Sequence, residues 1–117
     1  MYSPDISMGM GSIVYALSKL DGCLQPEEIK TVNQLLAGEP YSDLARYAFF
    51  LRENTGETVE EAYAFGMRRL RFNGKELNQA LKKQFVNVLI RVAQSTDGIS
   101  AKEQAFIQQF RREIRRL

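Results

Sequence analysis

The residues best suited to chemistry in this chain are carboxylates that recur in one pattern near each end. Asp21-Gly22 is followed by Leu24 and Glu28, and Asp97-Gly98 by Ile99 and Glu103. With one residue dropped from the first loop, the match extends to Gln25 over Ser100, Val32 over Ile107 and Leu35 over Phe110. Asp21, Asp97, Glu28 and Glu103 are hard oxygen donors, and the chemistry open to such a set is binding of a divalent cation. Two oxygens per corner fall short of the roughly six to eight ligands that calcium takes, and the loop is too short for an EF-hand. The competing account is structural. Gly22 and Gly98 turn left-handed at a helix C-terminus, while Asp21 and Asp97 accept backbone N–H groups from the helix that follows. The structural account is preferred, cation binding is the alternative, and no resident cofactor is expected.

Other catalytic chemistry is poorly supplied. The chain has no histidine, which removes the commonest general base and transition-metal ligand and excludes a Ser-His or Cys-His nucleophile. No glycine-rich phosphate loop is present either, so a non-enzymatic protein is expected. Cys23 is the single cysteine and cannot close an intramolecular disulfide. The negative field of Asp21 beside it opposes a reactive thiolate, so Cys23 reads as a small packing residue.

The elements that would position these groups are helical. Ser3-Pro4 starts a helix over about 4–20, with Ile6, Met10, Ile13, Leu17 and Leu20 on one stripe and Gly9 and Gly11 weakening its first turns. Pro26, Glu27 and Glu28 open a second helix that turns Ile29, Val32, Leu35 and Leu36 inward and ends at Gly38 and Pro40. Ser42 caps a third, with Leu44, Tyr47, Ala48 and Leu51 as its buried stripe and Asn54-Thr55-Gly56 as its end. Thr58 and Glu61 form a capping box for a fourth, where Val59, Ala62, Tyr63, Gly66, Met67 and Leu70 share a face and Gly66 admits a close neighbour. After the Asn73-Gly74 turn a longer helix over about 75–96 carries Leu77, Leu81, Phe85, Val88, Leu89 and Val92. Its length of about 33 Å would let it run through the middle of the domain, with Lys82 and Lys83 on its solvated face. Ser100 and Glu103 box the last helix, which turns Phe106, Ile107, Phe110 and Ile114 inward. No segment alternates with period two. The chain reads as an all-α, compact bundle of about six helices with two pseudo-symmetric helix-(Asp-Gly)-helix hairpins, in one domain over 1–117.

An apolar helix ending in Asp-Gly, a short loop, a Glu-capped helix and a second copy at the far end resemble the TerB-like family, which includes tellurite-resistance proteins and N-terminal domains of some DnaJ-type co-chaperones. Residues 13–36 and 88–114 carry the resemblance. It implies a pseudo-symmetric helical bundle with a role in stress response or protein association. The second copy departs from the first in having Gln104 where the first has Ile29, a shorter corner and one glutamate at its helix start.

The net charge of +2 hides an asymmetry: residues 1–65 carry four basic and ten acidic side chains, and residues 66–117 twelve basic and four acidic ones. An acidic half (−6) is thus joined to a basic half (+8). Arg68, Arg69, Arg71, Arg111, Arg112, Arg115 and Arg116 are the candidate partner-binding residues. A bipolar surface of this kind suits binding of other proteins or weak head-to-tail self-association. The arginines could also contact phosphates, which makes weak nucleic-acid binding a second alternative. No helix-turn-helix signature accompanies them, and the acidic half would repel DNA. No stretch approaches the roughly 18 apolar residues of a membrane span, and the N-terminus lacks the basic region of a signal peptide, so a cytoplasmic protein is expected.

Overall fold

Ser3 starts the first helix as its sequence predicts. Its hydroxyl accepts the Ile6 N–H and Pro4 occupies the first helical position, so α1 runs Pro4–Ser18. The computed structural model describes residues 3–20, 26–37, 42–94 and 99–117. Among these residues every regular element is helical: α2 (Pro26–Ala37), α3 (Ser42–Thr55), α4 (Val59–Phe72), a 3₁₀ turn (Gly74–Glu76), α5 (Gln79–Ala93) and α6 (Ala101–Arg115) follow α1.

The caps explain most of the boundaries. Gly56, at φ 63°, ends α3 in the left-handed conformation, and the Glu57 N–H returns to the Arg52 carbonyl at 3.2 Å. Thr58 and Glu61 then form the expected capping box of α4. The Thr58 backbone N–H and hydroxyl, both donated to Glu61, hold its carboxyl below the usual range.

The central helix is α1, not α5. Twelve of its fifteen residues are buried, and it packs closely against both α3 and α4 and also meets α5. The long helix expected over 75–96 is shorter, because Asn78 caps it by accepting the Leu81 N–H at 2.8 Å and Leu77 before it is extended. Fifteen residues reach only about 22 Å.

Glycines on α1 and α4 let the central helix sit this deep. A Cβ added at Gly11 would stand 2.1 Å from the Ala45 carbonyl oxygen on α3, and one at Gly66 would stand 2.7 Å from the Gly9 carbonyl oxygen. The intrinsic helix penalty of each glycine, about 1 kcal/mol, is offset by packing at backbone distance. The same crossing sets the buried face of α3. Ala45, Ala48 and Phe49 turn inward, with Phe49 edge-on to Tyr15 at 6.0 Å, while Tyr47, expected inside, is 58% exposed. The predicted stripe of α3 is rotated because the close crossing at Gly11 takes the small residues Ala45 and Ala48, which brings Phe49 rather than Tyr47 inward.

The two repeat copies pack unequally. α5 and α6 lie against each other, whereas α1 packs most closely on α3 and α4, and α2 lies on α3 and α5. The corners that would close each hairpin, with Asp21, Gly22, Cys23, Asp97 and Gly98, lie outside the described residues.

Candidate anion-binding groove between the last two helices

The sequence places its candidate metal ligands around the two corners. Of these, Asp21 and Asp97 lie outside the described residues, and Glu28 stands in the first turn of α2 with its side chain also outside them. The carboxylate of Glu103 has a structural task. Its Oε1 accepts the Ser100 N–H at 2.9 Å while the Ser100 hydroxyl accepts the Glu103 N–H at 3.1 Å, and Glu103 is only 5% exposed. Among the described residues no group of three or more Asp, Glu or Cys side chains converges as a metal would require.

The basic residues are brought together more clearly. α5 presents Gln79, Lys82, Lys83, Val86 and Asn87 at spacings of three and four, and α6 presents Arg111, Ile114 and Arg115 in the same way. Where the two helices meet, these eight residues line a groove of about 350 Å³, and none of them is acidic. Val86 and Ile114 are buried apolar residues, whereas Lys83, Arg111 and Arg115 are exposed. Lys82 departs from the expected solvated position: it is 8% exposed, and its Nζ donates to the Leu117 carbonyl at 2.9 Å. Its alkyl stem extends the apolar wall, because α6 covers a broader strip of α5 than the large apolar residues alone mark out.

The other candidate arginines divide by task. All seven are exposed, but Arg69 is engaged within the fold, with Nη1 3.4 Å from Asp5 Oδ1 and its guanidinium over the Phe65 ring at 4.9 Å. The charges of Arg71 and Arg112 reach Tyr63, which pairs with Glu113. Burial, the hydrogen bond to Glu113 and the charge of Glu113 push the Tyr63 phenol up, and Arg112 and Arg71 oppose this weakly.

The acidic half is partly neutralised, by two of its own cations and by one from the basic half. Asp43 pairs with Arg46 at 2.6 Å, Glu57 with Arg52 at 2.9 Å, and Asp5 with Arg69. Among the described residues, Lys83, Arg111, Arg112, Arg115 and Arg116 have no such partner. Among the described residues the bipolar surface read from composition is therefore uneven: the cations of α6 keep their charge unpaired, whereas Asp5, Asp43 and Glu57 do not. Large-residue periodicity passes over Gln79, Val86 and Asn87 as well as Lys82 and Lys83 as members of the groove. Their signal was the i, i+3, i+4 run from Gln79 to Asn87, read as a second stripe beside the apolar one.

A groove of ionised cations over an apolar floor can hold carboxylates or phosphates together with adjoining apolar groups. Comparison of the chain with protein-family models, with curated proteins and with solved structures gave no match.

Proposed function

We propose that this chain is a non-enzymatic association module that takes an acidic segment of another protein into the groove between α5 and α6. The observation that carries the reading is the convergence of Lys83, Arg111 and Arg115 on Val86 and Ile114 with no acidic residue in the lining. A segment bearing both carboxylates and apolar side chains would satisfy both parts, in the manner of a helix laid in a groove. Complementary charge would speed the encounter and reject basic competitors. Self-association through the acidic half is the weaker form of the reading, since Asp5, Asp43 and Glu57 are already paired within the fold. A TerB-like stress-response role, tellurite resistance included, belongs to the same proposal. Its support is the six-helix architecture and the duplicated Asp-Gly pattern.

The test is capture from native extract by the intact chain and by a Lys83→Glu, Arg111→Glu, Arg115→Glu variant. Raising salt from about 0.15 M to about 1 M shortens the screening length from about 8 Å to about 3 Å. Capture lost both in high salt and in the variant is the expected outcome. Partners retained equally under either condition would remove the groove from consideration.

A further inference from the structure

At the far end of α4 the molecule carries an aromatic side chain that the groove does not use. Phe72, the last residue of α4, is 86% exposed, against 58% for Tyr47 and 38% for Phe50 on α3. Cations surround it in sequence and in space. Arg68 lies one turn before it on the same face of α4, Arg71 adjoins it, and Arg71, Phe72 and Lys75 line one open depression together with Asn73, Gly74, Leu117 and a single acid, Glu76. Gly74 faces the backbone of Leu117, with its main-chain carbon 3.7 Å from where a Cβ would project, so the end of α6, where Arg116 is exposed, lies beside this pole. Glu76 is turned toward the chain start, its Oε1 accepting the Ser3 N–H at 3.1 Å, and its one negative charge is outnumbered by the cations of the pole.

We propose that this pole docks on an anionic lipid surface, with Phe72 entering the boundary between headgroups and acyl chains and Arg68, Arg71, Lys75 and Arg116 meeting the lipid phosphates. A phenylalanine left in water forgoes the transfer free energy that a membrane interface returns. Clustered Lys and Arg side chains are drawn to anionic leaflets. Neither signal anchors a protein stably alone, and this pole supplies one of each kind. Single-stranded nucleic acid, which a basic and aromatic patch could also attract, is bound on successive aromatic platforms. At this pole Phe72 is the one exposed ring among the described residues of α4 and α6, since Phe106 and Phe110 are buried and Tyr63 and Phe65 are partly covered.

The chain has no tryptophan, so Phe72→Trp in the full chain makes a sole-tryptophan reporter at the pole, and Tyr47→Trp makes one on α3. Each is titrated with phosphatidylcholine vesicles, with vesicles containing phosphatidylglycerol as well, and with a single-stranded oligonucleotide. The expected result is a blue shift and shielding from iodide for Phe72→Trp with the anionic vesicles only, none for Tyr47→Trp, and reversal by high salt. Phe72→Ala should weaken partitioning at least about tenfold in sedimentation with the same vesicles, and Arg68→Glu with Arg71→Glu and Lys75→Glu should abolish it. Circular dichroism on each variant checks that the helical fold is kept. The proposal is overturned if the vesicles produce no shift, if neutral vesicles shift the emission equally, if the protein adsorbs without shielding of residue 72, or if only the oligonucleotide perturbs the reporter.

Discussion

The Tyr63 hydroxyl on α4 donates to Oε1 of Glu113 on α6, the same oxygen that accepts Gln109 Nε2 at 3.0 Å. The Tyr63 ring also meets Phe106 edge-on with 5.2 Å between centroids. A helix packed chiefly on α5 is thus held to α4 as well, by one aromatic and one polar contact. The pair fixes the rotation of α6 and hence the side on which Arg111 and Arg115 face α5.

Replacing Tyr63 with Phe should cost about 1–2 kcal/mol at neutral pH, because a hydrogen bond to a carboxylate is lost while the ring stays. The alkaline response supplies the sign. The folded Tyr63 phenol is raised above its ordinary value of 10.0, so the folded state holds a proton that the unfolded chain gives up near pH 10. The stabilisation is full below that pH and declines above it. Urea melts of the native chain should lose stability above about pH 10, and Tyr63→Phe should flatten that loss. Equal alkaline slopes for the two proteins would contradict the assignment.

Alanine at the three packed glycines should destabilise in the order Gly11, Gly66, Gly9. At Gly11 the new methyl meets carbonyl backbone at 2.1 Å; at Gly66 it meets the flexible end of Ile13 at 2.6 Å and the Gly9 carbonyl at 2.7 Å; at Gly9 the closest contacts are 3.0 Å. Overpacking of about 1–3 kcal/mol at the first two exceeds the gain of about 1 kcal/mol in helix propensity. Gly9→Ala should come nearest to neutral. Thermal melts rank all three, and a stabilised Gly11→Ala would refute the close crossing of α1 and α3.

Much of this architecture was legible because caps are local. Thr58 with Glu61 and Ser100 with Glu103 sit three residues apart, and both boxes form as the spacing predicts. The central place of α1 was not legible, because periodicity weighs large apolar residues, whereas what buries this helix on every side is its small ones. Ser7, Gly9, Gly11, Ser12 and Ala16 are all buried. Ser12, fully covered, is satisfied from another helix, accepting Arg52 Nε at 3.3 Å, while Arg52 also stacks on Phe65 at 4.0 Å and pairs with Glu57. No pattern within α1 announces a partner forty residues away. The candidate site followed the same division: the arginines were evident from composition, but their grouping with Lys82 and Lys83 needed the docking of α6 on α5.

The carboxylate of Glu103 should behave as a cap. Glutamine also serves at this position of a capping box, so Glu103→Gln should leave thermal stability nearly unchanged, whereas Ser100→Ala and Glu103→Ala should each cost about 1 kcal/mol. Addition of calcium, magnesium or manganese should shift none of these melts, since a ligand that binds only the folded state must stabilise it. A metal-dependent rise in Tm that Glu103→Gln removes would favour the cation-binding alternative.

Adjacent lysines should give opposite phenotypes. Lys83 is exposed on the rim of the groove, whereas Lys82 is 8% exposed with its Nζ on the Leu117 carbonyl at 2.9 Å. Lys83→Glu removes one unpaired cation and adds an anion at a solvated position, so its stability should stay within about 0.5 kcal/mol of the native chain. Its capture of an acidic partner should fall, because like charge then faces the partner across the rim. Lys82→Glu buries a carboxylate against a carbonyl oxygen and should cost about 1–3 kcal/mol by losing a donor and leaving acceptors unpaired. Lys82→Met keeps the apolar stem and removes only the donor, so it should recover most of that loss. Urea denaturation and partner capture on these three variants separate the two tasks. If Lys83→Glu unfolds the chain, or Lys82→Glu leaves stability untouched, then α6 does not sit on α5 as the groove requires.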